Sequence, residues 1–288
     1  VPLFLHDNMT ILQAIVLAIV EGLTEFLPVS STGHMIIAEG IMGVKSTSFV
    51  RAFTVMIQFG AILSVLVLYR KRFFCFPVAP RALGQGKRKE FMSRFDLYWK
   101  LLIALVPAVI LGFLFEDWVD RMLGSVWVVA VVLFLGGIFM LFVDKLFASS
   151  DRGEITYPKA FVIGLFQCLA IFLPGLSRSM ATIVGGQQQK LSRKAAAEFS
   201  FFLAVPTMLG ATLLKAYKLY KEGGIEIFRE HMTVLLVGNI VAFIVALAAI
   251  KFFIGFLTRY GFKAFGYYRI LVGGLLIVLM LSGVSLAV

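Results

Sequence analysis

Apolar residues run through this chain in long blocks, not at alternate positions and not along one helical stripe. The blocks fall at approximately 49–69, 97–115, 125–143, 196–215, 233–254 and 268–287. Each holds the roughly 17–25 residues that a helix needs to cross a hydrocarbon layer about 30 Å thick. Six transmembrane helices are expected. Two further apolar stretches, 11–42 and 159–186, are interrupted midway by a proline and a run of hydroxyls, Pro28-Val29-Ser30-Ser31-Thr32-Gly33 in the first and Pro174-Gly175-Leu176-Ser177-Arg178-Ser179 in the second. Proline withholds a backbone donor and ends helices. Broken backbone at membrane depth survives only where protein or a wet cavity covers it, so both stretches read as re-entrant helical hairpins.

Sliding the chain by 146 positions (167 − 21) sets Glu21 against Gln167. Leu23, Phe26, Leu27, Pro28 and Ser31 then fall on Leu169, Phe172, Leu173, Pro174 and Ser177, and Phe53 falls on Phe199. Three crossings follow each hairpin, and an odd number of crossings per copy inverts the second copy. The expected fold is an all-α polytopic membrane protein: six transmembrane helices plus two re-entrant helical hairpins, arranged as an inverted-topology repeat. Residues 1–288 form a single membrane domain, with halves at approximately 9–143 and 159–287 joined by a cytoplasmic loop at 144–158.

Composition supports a lipid environment. Of 288 residues 60% are hydrophobic and 15% charged, with mean hydropathy +0.95, where a soluble domain has about 45–50% apolar residues. The first apolar run follows no basic segment, so no removable signal peptide is expected. The formal charge of +11 is the positive-inside signature of cytoplasmic loops, not a nucleic-acid surface. Arg70, Lys71, Arg72, Arg81, Lys87, Arg88, Lys89 and Arg94 face only Glu90 and Asp96 in the loop at 70–96, whereas Glu116, Asp117 and Asp120 outnumber Arg121 in the loop at 116–124. The first loop is therefore cytoplasmic, both termini are outside, and the first hairpin opens outward. The 216–232 loop, with Lys218, Lys221 and Arg229, fits this orientation least well. Cys75 and Cys168 are the only cysteines, which excludes a disulfide framework and a cysteine-based metal site.

Glu21 and Glu25 are four residues apart, on one face of a helix. Two acids in an apolar segment need pairing, protonation or a cation, and paired carboxylates beside a wet cavity suit a hard divalent cation such as Mg²⁺ or Ca²⁺. Ser30, Ser31 and Thr32 lie at the start of the hairpin's second helix, where amides and the helix dipole attract anions, although hydroxyls there also serve as ordinary caps. His34, three residues after Ser31, is a candidate general base or ligand. The second hairpin adds Ser177, Arg178, Ser179 and Thr182, and Arg178 is hard to explain as packing. Glu198 either lines the same cavity or sits at the cytoplasmic interface. Paired glycines at 136–137, 185–186 and 273–274 suit close helix approach. Two positive helix ends, an arginine and a cation held by two acids describe a receptor for a diphosphate.

The strings from Glu21 to His34 and from Pro174 to Ser179, with Thr182, closely resemble the two signature motifs of the bacterial undecaprenyl-diphosphate phosphatases, the bacitracin-resistance family. The resemblance covers nearly the whole chain; Met180 departs from it, standing where the family has a small glycine. It implies a cation-dependent integral membrane phosphatase of the bacterial cytoplasmic (inner) membrane, its active site opening to the outer face. Such an enzyme removes the terminal phosphate of undecaprenyl diphosphate, recycles the carrier for peptidoglycan synthesis and confers bacitracin resistance. By the same resemblance Glu21 and Glu25 belong to the metal and acid/base apparatus, Ser31 is the candidate nucleophile and Arg178 holds the diphosphate. The expected partners are a polyprenyl diphosphate and the bilayer, with room for a homodimer and no nucleic acid. The rival is an inverted-repeat transporter or flippase for a lipid phosphate or other anion, which shares the architecture but has no use for paired carboxylates.

Overall fold

A computed structural model of the chain describes residues 9–75, 91, 93–115, 118, 121–122, 124–147 and 154–283. The orientation-setting residues Arg81, Lys87, Arg88, Lys89, Glu90, Glu116, Asp117 and Asp120 lie outside the described residues, as does 148–153 of the linking loop. Among the described residues every regular element is a helix: α1 (Ile11–Thr24), α2 (Ser31–Met42), α3 (Ser48–Met56), α4 (Gln58–Leu68), α5 (Arg70–Phe74), α6 (Asp96–Leu114), α7 (Val126–Leu146), α8 (Tyr157–Phe172), α9 (Arg178–Gln188), α10 (Arg193–Gly223), α11 (Glu226–Glu230), α12 (Met232–Tyr260) and α13 (Lys263–Leu281).

Among the described residues six segments are long and apolar enough to cross a membrane: α3 with α4, then α6, α7, α10, α12 and α13. They coincide with the six apolar blocks. The ends differ: α10 continues to Gly223 and carries Lys215, Lys218 and Lys221 within the helix, because Lys, Leu and Ala are strong helix formers and the polar composition does not break it. The remaining apolar helices are short. α1 and α8 hold 14 and 16 residues, about 21 and 24 Å at 1.5 Å per residue, and so fall short of a crossing. Each packs against the helix that follows it, α1 on α2 and α8 on α9.

Hydroxyl caps set several helix starts. Thr10 and Gln13 form a reciprocal capping box on α1, and Ser125 and Ser192 cap α7 and α10. The helices pair across long sequence separations: α1 lies on α12 and α8 lies on α6, while α7 packs along α13. Gly164 permits the α8–α6 approach, since a Cβ there would stand 2.1 Å from the Ala104 carbonyl oxygen. An aromatic column, Phe26–Phe201–Phe253–Phe265, with successive ring centroids 5.3, 5.9 and 5.4 Å apart, fills the core beneath the first helix break.

The two breaks share one backbone device. Ser30 and Ser177 each adopt positive φ, 72° and 78°, and each accepts a hydrogen bond from an amide of the helix it starts. Their match runs one residue off the sequence offset. Ser177 corresponds to Ser30, and Arg178 corresponds to Ser31 as the first residue of its helix. The second turn absorbs its extra residue at Gly175, whose φ of 95° and approach to the Val129 carbonyl, 2.5 Å from a Cβ there, admit only glycine.

Candidate functional site

Glu25 ends α1 and stands between the two breaks. Its Oε2 accepts a hydrogen bond from Ser31 Oγ at 2.6 Å, and its Oε1 accepts one from Arg178 Nη2 at 3.0 Å. A hydroxyl–carboxylate bond this short is of the charge-assisted kind. The first residues of α2 and α9 are thus joined through one carboxylate, itself only 8% exposed. Arg178 also donates through Nη1 to the Ser200 carbonyl at 3.2 Å, while its Nε is buried with no hydrogen-bond partner.

One turn before Glu25, Glu21 is 1% exposed, its carboxyl set against those of Glu25 and the Gln58 side chain, and its Oε1 has no hydrogen-bond partner. A cavity of about 500 Å³ reaches this carboxyl and Ser31. Thr32, Met35 and Glu39 of α2 continue its wall, and Arg51 and Lys215 stand farther along it. An orphaned carboxylate oxygen beside a second acid fits a hard cation. Among the described residues no group of three or more His, Cys, Asp or Glu could hold one alone. The fit is that of a cation shared between one or two carboxylates and phosphate oxygens of a ligand, the usual habit of Mg²⁺.

The other expected site residues take different places. Thr32 faces the cavity. Ser30 is spent on its cap. Ser177 and Ser179 bond one another at 2.9 Å, and Ser179 donates to the Leu27 carbonyl at 2.8 Å, stitching the second break to the first. Thr182 is fully buried against Ser200 Oγ at 2.6 Å. Glu198 is not in the cavity wall. His34 is held at both ring nitrogens: Nδ1 lies 2.7 Å from the Ser30 carbonyl and Nε2 lies 2.7 Å from the Tyr268 hydroxyl. A carbonyl can only accept, so Nδ1 carries the proton and Nε2 accepts from Tyr268, as assigned from the partners.

Arg269 was not legible as a site residue. It is fully buried, and among the described residues its guanidinium bonds to backbone carbonyls: Pro28 at 3.2 Å in the first break, Gly175 at 2.9 Å and Leu176 at 2.7 Å in the second, and Leu133 and Val132 of α7 at 3.3 and 3.5 Å. It clamps both turns with donors that proline and the tight geometry cannot supply. The only signal in the sequence is a charge near the start of an apolar block, which reads equally as a residue at the membrane interface.

The family model described as bacitracin resistance protein BacA matches residues 14–275. The chain belongs to the BacA family. A protein of Porphyromonas gingivalis strain W83 named undecaprenyl-diphosphatase is 99% identical to this BacA-family chain over 280 residues, spanning 97% of this chain and 100% of that one. Identically named proteins of Flavobacterium psychrophilum and Aquifex aeolicus are 56% and 43% identical, covering 94% and 92% of this chain and 96% of each of theirs. As a BacA-family member with six apolar helices of crossing length, the chain is a multi-pass membrane protein.

Proposed function

We propose that this chain is an undecaprenyl-diphosphate phosphatase of the bacterial inner membrane, hydrolysing undecaprenyl diphosphate to undecaprenyl phosphate and inorganic phosphate, and so returning the carrier to peptidoglycan synthesis and conferring bacitracin resistance. The observation that carries the reading is the junction at Glu25, where a guanidinium from one helix start and the hydroxyl of Ser31 from the other, itself in the wall of a cavity, meet on a single carboxylate.

Ser31 Oγ attacks the terminal phosphorus while its proton passes to Glu25 Oε2. The bond from that phosphorus to the bridging oxygen breaks, and undecaprenyl phosphate leaves with the electron pair. Water then attacks the phosphoserine, releasing inorganic phosphate and restoring the hydroxyl. When Glu25 takes the proton its hold on Arg178 weakens, so the guanidinium, with its unpartnered Nε, can turn toward charge growing on the equatorial oxygens. Amides at the starts of α2 and α9 add to that field. His34 acts through the Ser30 carbonyl it binds, next to the nucleophile. Glu21, with Glu25, would hold the divalent cation, Mg²⁺ or Ca²⁺, which neutralises diphosphate charge when bound.

The short α1–α2 and α8–α9 pairs are re-entrant hairpins, and the halves form an inverted repeat. Reciprocal packing of α1 on α12 and α8 on α6, with matching positive-φ serines at the two breaks, supports this. The cavity opens to the outer face, the end of α3 away from the basic residues 70–72. The test is phosphate release from a C55 or shorter polyprenyl diphosphate by purified protein, with EDTA and after restoring Mg²⁺ or Ca²⁺, beside Ser31→Ala. Cation-dependent release that the variant loses is expected. No release from folded protein under any cation would sink the reading in favour of the transporter.

A further inference from the structure

Between the first turn of α3 and the last turns of α10 lies a second cavity, of about 230 Å³. Arg51 enters from α3, and Lys215, Lys218 and Glu222 enter from one face of α10 at helical spacing. Arg51 and Lys215 also wall the main cavity, so the two are adjoining chambers. The Arg51 guanidinium is fixed at their junction by bonds to the Ser46 carbonyl at 2.8 Å and the Ser46 hydroxyl at 3.2 Å. Among the described residues that line the second cavity, three cations and one carboxylate stand at the end of the molecule read as external, where basic charge works against orientation. Charge retained there against that bias calls for a use. The cationic residues in the wall of the main cavity, Arg51 and Lys215, both belong to this cluster.

We infer that the α3–α10 chamber binds a phosphoanion between the main cavity and bulk water, as the headgroup of an arriving diphosphate or as orthophosphate leaving. The inference rests on the phosphatase reading for its ligand, while its binding chemistry needs only a phosphate. Arg51, Lys215 and Lys218 hold the anion; Glu222 keeps the hold weak enough for exchange.

The Lys215→Gln/Lys218→Gln double variant and Glu222→Gln are compared with the parent protein for hydrolysis of a short-chain polyprenyl diphosphate across added orthophosphate and across salt. Radiolabelled orthophosphate binding is measured on the same proteins. Each lysine removed should weaken phosphate binding roughly two- to fivefold, the reach of a partly exposed ion contact, and Glu222→Gln should tighten it. A raised inhibition constant for orthophosphate at constant kcat/KM identifies the leaving product as the ligand. A lower kcat/KM with a flatter salt dependence identifies the arriving headgroup. Unchanged inhibition, kcat/KM and orthophosphate binding in the double variant would overturn the chamber while leaving an active phosphatase intact. Lysine-dependent orthophosphate binding by a parent protein that hydrolyses nothing would overturn the phosphatase reading and leave the chamber standing.

Discussion

One added methyl group tests whether the geometry of the two helix breaks sets the rate. Gly136 of α7 faces Arg269, and a Cβ there would stand 2.4 Å from Nη2 and 3.2 Å from Cζ. Comfortable non-bonded separation is about 3.5 Å, so Gly136→Ala forces the guanidinium back by about 1 Å. The bonds from Nη2 to the Gly175 carbonyl at 2.9 Å and from Nη1 to the Leu176 carbonyl at 2.7 Å then stretch toward the limit beyond which a contact no longer counts as a hydrogen bond. Overpacking of this kind costs about 1–3 kcal/mol of stability. A displacement of about 1 Å at a reacting group can cost as much as ~100-fold in rate. Since Gly175 and Leu176 immediately precede Ser177 and Arg178, the shift is delivered to the arginine that pairs with Glu25.

The measurement is kcat and KM for phosphate release together with the thermal midpoint in detergent. The comparison is Gly273→Ala, at the same α7–α13 interface, whose added Cβ would press first on the Phe134 backbone at 2.8 Å, with Phe134 supplying all three of its nearest atoms. Both variants should lose stability. Gly136→Ala alone should lose roughly 10- to 100-fold in kcat. A folded Gly136→Ala protein within twofold of the parent kcat, or an equal kcat loss in Gly273→Ala, refutes the clamp.

Three further outcomes follow from the same contacts. Glu25→Gln keeps the side-chain shape but removes the proton acceptor for Ser31 and the partner of Arg178; kcat should fall about 10²- to 10⁴-fold, and a near-normal rate in steady-state assays would remove Glu25 from the chemistry. Tyr268→Phe deletes the hydroxyl 2.7 Å from His34 Nε2, and the lost hydrogen bond should lower kcat by up to about tenfold at unchanged KM; a KM effect alone would count against a positioning role for His34. Asp144 accepts from Arg193 at 2.7 Å and from the Phe262 amide at 2.8 Å, at the end of α7 away from the site, so Asp144→Asn should lower the thermal midpoint in a melt while leaving kcat intact.

Much of the site was legible because a proline beside hydroxyls or an arginine has few explanations inside an apolar run. Glu21, Glu25, Ser31 and Arg178 could be gathered from such interruptions, and the structure brings them to the two helix breaks. What stayed illegible is tertiary. Ser177, Ser179 and Thr182 offer the same hydroxyls whether they meet a ligand or the Leu27 carbonyl and Ser200, and only packing separates the cases. Arg269 is chemically identical to an interfacial arginine until α7 and both turns close around it. The register of the turns was hidden for a local reason: Gly175 absorbs one residue in a left-handed conformation, so matching prolines do not imply matching caps. The corrected register bears on mechanism. Ser30 and Ser177 hold positive φ at a cost of about 1–3 kcal/mol each, and each immediately precedes the residue that reaches Glu25. A relaxed turn would start the following helix at a different angle and carry Ser31 or Arg178 away from the shared carboxylate. The strain is therefore located where the proposed reaction requires two helix starts aimed at one point, and Arg269 bonds the carbonyls of both turns there.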